Sequence, residues 1–260
     1  MAAIEEICAY PVKGLDGIRL DEAEITDGGT LAYDREFALF EDGGIINAKD
    51  SDKFHDLSTT FDPEGRTLSV TVPDGETLSF TLAEDTDQRR AEDWFSEYFG
   101  MDLRLRRNTE LGYVDRRKMG PSVISTATLE TVASWFEDLT VEGARRRLRA
   151  NVEVSGVEPF WEDRFVGEDV PAFEADGITF EGMTPCARCV VPQRDPDTGE
   201  PIERFRQQFI EKRRETFPEF ADDDAFDHFY TLMIISRIPE RDRNGSLAVA
   251  DSVSVIENTS

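Results

Sequence analysis

Lysine, histidine and cysteine are all scarce in this 260-residue chain, which holds five Lys against 24 Arg, two His and three Cys. Three cysteines (Cys8, Cys186, Cys189) are too few, and odd in number, for a disulfide framework. Long apolar runs are missing. Leu232-Met-Ile-Ile235 is among the longest, far short of the roughly 18 residues of a membrane span. The opening Met1-Ala-Ala-Ile-Glu-Glu has neither a basic nor an apolar leader region, so no secretory signal is expected. A cytoplasmic location is the expectation that follows. No Gly-rich phosphate loop, βαβ periodicity, internal repeat or low-complexity segment is visible, which disfavours Rossmann and P-loop readings.

What the chain does have is a core. Apolar residues make up 39%, with 18 Phe, 5 Tyr and 3 Trp, so general disorder is excluded. It also has acid: 55 Asp and Glu against 29 Lys and Arg give a net charge of −26. Phosphate backbones attract basic surfaces, so nucleic acid is excluded as a partner. The excess runs along the whole chain, as at Asp21-Glu22, Glu92-Asp93 and Asp222-Asp-Asp224. Such a globular composition resembles that of proteins from extreme halophiles. At about 1 M salt the Debye length is only about 3 Å, and self-repulsion is screened. An ordinary acidic protein is the alternative.

The first hundred residues read as mostly β. Ile4–Tyr10 forms a strand stopped by Pro11, and Ile18–Ile25 alternates loosely. Phe37–Phe40 and Ile45-Ile46 flank one hairpin turn, and Thr67–Val72 and Thr77–Leu82 flank a second. Ala91, Trp94, Phe95 and Tyr98 then share a helix face, with Gly100 as its stop. Leu103–Arg107 reads as a strand. The polar stretch from Asn108 to Gly120 marks a boundary, giving units 1–110 and 111–260. A helix capped by Ser125 or Thr126 buries Leu129, Val132, Ala133 and Phe136. Asn151–Ser155 and Gly177–Glu181 read as strands, Glu203–Thr216 as a helix, and Tyr230–Ile235 and Leu247–Ile256 as closing strands. The class is α+β, rich in antiparallel strands.

Two constellations could carry chemistry. Cys186-Ala-Arg-Cys189 has zinc-site spacing, but its possible co-ligands Cys8, His55 and His228 are scattered. A thioredoxin-like pair should open a helix, whereas Val190-Val-Pro192 looks extended. A third reading is a single thiolate on a soft or redox-active metal held largely by an organic cofactor. An inert buried pair is the fourth. The second constellation is cationic: Lys13, Arg35 and Arg145-Arg-Arg-Leu-Arg149. Each alone reads as a surface ion pair. Together they could hold a phosphate, with amides from the helix start at Ser125-Thr126.

Tyr10-Pro-Val-Lys-Gly-Leu-Asp-Gly-Ile18 and Leu31-Ala-Tyr-Asp-Arg-Glu-Phe37 resemble the N-terminal β-barrel domain of MOSC proteins. Arg147-Leu-Arg-Ala-Asn-Val-Glu-Val-Ser-Gly156, Glu158-Pro-Phe160, Pro185-Cys-Ala-Arg-Cys-Val190 and Asp195-Pro-Asp-Thr-Gly199 resemble the MOSC domain. Within the family the chain is similar to the mitochondrial amidoxime-reducing component. Gly245–Val255 looks like the family's last β-hairpin.

The resemblance implies two β-barrel units with a few helices. It also implies a molybdenum–molybdopterin cofactor, with Cys189 as both catalytic residue and metal ligand. Lys13, Gly14, Arg35, Ser125, Thr126, Arg149, Asn151, Ala187 and Arg188 would line the cofactor pocket, with Cys186 behind the ligand. The family often has Ser where Gly14 stands, so a hydroxyl contact is lost there or replaced by the backbone amide. Cys8 reads as core. The implied activity is reduction of small N-hydroxylated or N-oxide compounds by oxygen-atom transfer. A sulfur carrier or cofactor-binding module without turnover is the alternative. No flavin, haem or iron–sulfur motif is visible, so electrons must come from a partner of flavoprotein, ferredoxin or cytochrome type. Asp195–Thr198 either shapes the substrate mouth or is a plain Asp-Pro turn.

Overall fold

The computed structural model describes residues 1–116 and 119–257. It opens with β1 (Ala3–Ala9), β2 (Ile18–Leu20) and β3 (Glu22–Glu24). Two sheets follow. One holds β4 (Phe37–Glu41) and β5 (Gly44–Ile46), and the other β6 (Ser58–Asp62), β7 (Thr67–Thr71) and β8 (Thr77–Thr81). Helix α1 (Asp85–Phe99) ends at Gly100, whose φ of +75° closes the last turn without a Cβ clash. β9 (Arg104–Arg107) then returns beside β4.

The second part runs β10 (Ser122–Ser125), α2 (Thr126–Ala133), α3 (Val141–Leu148), β11 (Val152–Ser155), β12 (Ala172–Ala175), β13 (Ile178–Ala187), α4 (Phe205–Glu215), β14 (Thr231–Arg237), β15 (Ser246–Ala248) and β16 (Val253–Ile256). Its main sheet has the order β16-β12-β13-β14-β10-β11-β1-β2. Backbone bonds also tie β1 to the segment leading into β16. Ile4 N donates to Asp251 O at 2.9 Å, and Ala250 N to Ile4 O at 2.8 Å. The ladder therefore returns to its first strand, which is how a barrel removes its open edges. β1 belongs to this ring, and β3 pairs with β15.

Side chains alternate across the ring as period-2 geometry requires. Val123 and Ile234 face the inner core with Phe165, Phe173 and Phe180. Their neighbours Ile124 and Met233 face outward onto α2, α3 and α4. A third core, built from Phe37, Leu39, Phe61, Val70, Phe80, Phe95 and Leu105, joins the two smaller sheets to α1.

Three expectations need correction. The sheet is antiparallel except for β10 and β11, which pair in parallel across the α2–α3 crossover, so one βαβ-like unit exists. Its period was hidden because two short helices with a turn replace one long one. The closing segment is not a hairpin: β15 pairs with β3 and β16 with β12, because a turn at 249–252 sends the chain to a different partner. Cys8 is not core. It is half-buried, and its thiol donates to Glu6 Oε1 at 3.1 Å. Among the described residues, no helix is long and apolar enough to cross a membrane.

Candidate functional site

The β1–β2 connection, the loop after β4–β5, the end of α3 and the end of β13 converge on one cavity of about 500 Å³. Lys13, Gly14, Arg35, Arg149, Asn151, Ala187, Arg188 and Cys189 all line it, as does Cys186. The backbone fixes each in place. Lys13 N donates to Phe37 O, and Phe37 N to Pro11 O, both at 2.9 Å, which anchors the strand end carrying the lysine. Gly14 has φ +99°, and a Cβ there would meet Phe54 and Asn47 at 3.1–3.2 Å. A serine in its place would be both strained and crowded.

Tyr10 organises the first cationic group. Its buried ring carries the Arg149 guanidinium at 4.0 Å and that of Arg35 at 5.2 Å. Its hydroxyl donates to Ala150 O at 3.1 Å. Arg35 pairs with Asp34, which also accepts from Tyr10 N at 3.0 Å. Arg149 caps α3 in the left-handed region with φ +57°, a costly backbone for a residue with a Cβ. Its Nη2 donates to Leu15 O at 2.7 Å, and it forms no ion pair among the described residues. Burial pushes the Arg149 pKa down. The Lys13 pKa is also lowered by burial, although its ammonium holds Asp115 at 2.5 Å and Tyr113 O at 2.7 Å.

Asn151 is buried and spoken for. It accepts from Ser122 N and Oγ at 3.1 and 3.0 Å, and it donates to Cys8 O at 3.1 Å. It thus locks β1, β10 and β11 together under the cavity. Arg188 donates through Nη1 to Cys186 Sγ at 3.2 Å and through Nη2 to Leu148 O at 2.8 Å. Cys189 is half-buried, and its carbonyl accepts from Tyr230 Oη at 3.1 Å. All three cysteines are free thiols.

Ser125 and Thr126 lie outside the cavity. Ser125 Oγ accepts from Thr128 N at 3.1 Å as the cap of α2, and its own N donates to the buried Glu162 at 3.3 Å. Thr126 Oγ1 donates to Glu153 at 2.8 Å. The start of α2 is already filled by the Glu162 carboxyl group, which accepts from Ser125 N and Thr128 Oγ1. Ser122, one turn of strand earlier, takes the place at the cavity.

The residue reading missed Lys49, Arg116 and Arg194, which also line the cavity; Arg146 and Arg147 of the named cationic run line it too, as does His55, considered only as a zinc co-ligand. Scarcity was a usable signal for Lys49, since two of only five lysines line this one cavity. In all, nine lining residues are Lys or Arg and three are Asp, inside a chain of charge −26. Low-dielectric walls focus such a field on the cleft. Four guanidinium N–H groups there, Nε and Nη1 of Arg147 and Nε of Arg188 and Arg194, are buried without an acceptor. An anion is what this cavity's charge calls for.

The Asp195–Thr198 loop brings Pro196 to the cavity and is tied to the arginines of α3. Asp195 Oδ1 accepts from Asp197 N and Thr198 N at 3.0 and 3.1 Å, and Oδ2 holds Arg147 at 2.9 Å. Asp197 takes both forks of Arg146 at 2.7 and 2.6 Å. Arg194 reaches Asp52 at 2.6 Å, joining the loop to the other wall. Among the described residues, no group of three or more His, Cys, Asp or Glu is arranged to hold a metal. Among the described residues, Cys186 and Cys189 thus find no third such ligand for a tetrahedral zinc site. Cys186 lies near the end of a strand and Cys189 in the following loop; Val191–Gln193 then forms a short 3-10 turn and not the extended segment expected, but the pair opens no α-helix.

Comparison with known proteins finds two family models, whose matched ranges overlap. The MOSC N-terminal beta barrel domain matches residues 1–141, and the MOSC domain matches residues 119–222. A molybdenum cofactor sulfurase of Caenorhabditis briggsae is 23% identical over 221 residues, covering 77% of this chain and 30% of that protein. The chain thus spans less than a third of that relative's length. A solved structure, the YUAD protein from Bacillus subtilis, is 14% identical with a TM-score of 0.37, covering 100% of this chain and 98% of that one.

Proposed function

The chain belongs to the MOSC family, and from that premise we propose that its cavity holds a molybdenum–molybdopterin cofactor used to reduce small N-hydroxylated or N-oxide compounds. The observation that carries this is a free thiol, Cys189, sharing one cavity with nine cations in a strongly acidic chain. The residues fit the group. Among the described residues, the guanidinium of Arg149 has no carboxylate partner, and buried N–H groups of Arg147, Arg188 and Arg194 lack acceptors. A phosphate-bearing anion supplies what they lack. A single thiolate suits a metal whose other sulfur donors come from an organic ligand. Bound there, the cofactor would supply oxygen-atom exchange at its metal.

The chain's own residues then have defined tasks. Cys189 is the protein thiolate and the catalytic residue. Lys13, Arg35 and Arg149, with the backbone around Gly14 and Ala187, hold the anionic cofactor. Arg188 aligns the Cys186–Cys189 segment, and Asn151 fixes the three strands beneath. Ser122, Lys49 and Arg147 take the places first given to Ser125 and Thr126. The division into units 1–110 and 111–260 is part of this proposal, with the cavity drawing on both. So are a cytoplasmic location in a salt-rich cell, supported by the charge and the three free cysteines, and a separate electron-donor protein.

The test is elemental analysis of protein made in a cofactor-competent host, followed by amidoxime reduction with a chemical reductant. Stoichiometric molybdenum and turnover are expected. A folded protein without molybdenum in any preparation overturns the proposal. A sulfur carrier is the second reading, favoured by the likeness to a protein named a cofactor sulfurase and by the two free thiols in the cavity. Persulfide on Cys189 by mass spectrometry, without amidoxime turnover, would select it.

A further inference from the structure

The cations of the cavity fall into two sets. Lys13 and Arg35 pair with Asp115 and Asp34, and these two carboxylates line the cavity beside them. Arg149 joins this set through the Tyr10 ring that it shares with Arg35. The second set is arranged differently. Arg146, Arg147 and Arg194 line the cavity, whereas the carboxylates that hold them, Asp197, Asp195 and Asp52, do not. Their partners lie outside, so this set turns charge inward that no lining carboxylate matches.

Two polar atoms of the second set are buried without a partner among the described residues: Nε of Arg194 and Nε2 of His55, a residue only 7% exposed. They come from the two walls that the Arg194–Asp52 pair joins. His55 N donates to Asp52 O at 2.9 Å, and a Cβ on Gly199, in the loop after Arg194, would lie 3.3 Å from His55 Cβ. Asp52 holds Arg194 by Nη1 at 2.6 Å, which leaves the Nε edge of the guanidinium free. Arg194 also shares a tight turn with the cysteine loop, since Gln193 N donates to Val190 O at 3.3 Å and Arg194 N to Val191 O at 2.9 Å. At about 2 Å of rise per residue in such a turn, the step from Cys189 to Arg194 is on the order of 10 Å. That is the length of a single-ring compound with a group at each end.

We propose that Arg194 and His55 form a second anion subsite, which takes a carboxylate carried by the substrate. The substrate class is then small N-hydroxylated compounds bearing an acidic group. This rests on the redox reading of the cavity, in which the cofactor's phosphate goes to Lys13, Arg35 and Arg149. A phosphate group carries at most about two charges, so one placed at the first set leaves the second open. A carboxylate matches the planar fork of an arginine, and the bond is charge-assisted. The Nε2–H of a neutral imidazole adds a second donor. Asp52, on the opposite edge of the guanidinium, orients Arg194 for this task.

The test titrates the full-length protein by calorimetry, without reductant, with para-carboxybenzamidoxime and with neutral benzamidoxime. Reduced methyl viologen then drives the turnover of both. Wild type should bind the carboxylate compound about tenfold tighter or more. Arg194→Gln should bring the two compounds level, and His55→Leu should cut the preference about fivefold. Asp52→Asn breaks the same ion pair but keeps the guanidinium, so the preference should survive. The ratio of kcat/KM values should follow the binding ratio in each protein. The subsite is overturned if wild type binds both compounds equally, if Arg194→Gln keeps the preference, or if Asp52→Asn loses it as fully as Arg194→Gln does. Absence of viologen-driven turnover in molybdenum-loaded wild type overturns the redox reading instead, and the titrations still report on the subsite.

Discussion

Arg188 and Cys186 are bonded to each other in the cavity: Nη1 of the guanidinium lies 3.2 Å from Sγ and donates to it. The arginine between the two cysteines thus serves the first of them. Among the described residues, Cys189 is hydrogen-bonded by a side chain only at its backbone carbonyl, by Tyr230, which leaves its thiol to the proposed metal. Cys189→Ser should therefore abolish amidoxime reduction and strip molybdenum. Cys186→Ser keeps an acceptor for Arg188, so the loss is limited to about 1 kcal/mol, or roughly fivefold in rate. Parallel metal analysis and kinetics check this. Equal losses from both variants would point to a dithiol role.

Arg149 carries the clearest anion-binding expectation. It is half-buried, unpaired with any carboxylate among the described residues, and held over Tyr10 in a left-handed backbone. Arg149→Lys keeps the charge but loses the planar fork and the stacking. Molybdenum content should fall about tenfold, about 1.4 kcal/mol of cofactor affinity, with unchanged circular dichroism. Arg145→Lys is the control. Arg145 sits on the same helix but pairs with Glu153 at 2.7 Å, and its replacement should leave molybdenum content intact.

Much of this site was legible because it sits at strand ends with quotable motifs. Lys13, Arg35, Arg149 and the Cys186–Cys189 pair were named from the residues, Asn151 and Arg188 through the family resemblance, and all line one cavity. What escaped had physical reasons. α3 buries Ala144, Arg147 and Leu148 on one face. An arginine fills a slot in its helical period, so apolar counting fails. In β6 the inward positions are Thr59 and Phe61, and a threonine breaks the apolar alternation. Ser125 was rightly a cap. Whether a capped helix start faces a cavity depends on a long-range partner, here Glu162, which local patterning cannot supply.

Glu162 should give the protein a measurable pH dependence. Burial, aided by the charge of Asp163, raises its pKa from the ordinary 4.5 to about 8. Its Oε1 is buried without a partner, which suits a neutral carboxyl group. The folded state then keeps a proton that the unfolded chain releases. This contribution to stability is full below about pH 4.5 and is lost as pH rises toward about 8. Glu162→Gln should flatten the urea midpoint between pH 5 and 8 relative to wild type. Curves of equal slope for the two proteins would refute the assignment.

Two ion pairs should separate burial from appearance. Arg213 and Asp163 pair with side chains 0% and 2% exposed, and Phe160 lies 4.4 Å beneath the guanidinium. Asp163→Ala would strand a buried charge whose Nη1 already lacks a partner, a loss of about 3–5 kcal/mol. Arg146 and Asp197 have the better-looking geometry, a double fork at 2.7 and 2.6 Å. Their side chains are 36% and 64% exposed, so Asp197→Ala should cost under about 1 kcal/mol, and less as salt is added. Its effect belongs to the cavity wall instead. Freed from Arg146, the loop should raise the KM for an amidoxime while leaving the urea midpoint nearly unchanged. A large loss of stability from Asp197→Ala that persists in high salt would mean that the loop helps hold the fold and is not only a wall of the site.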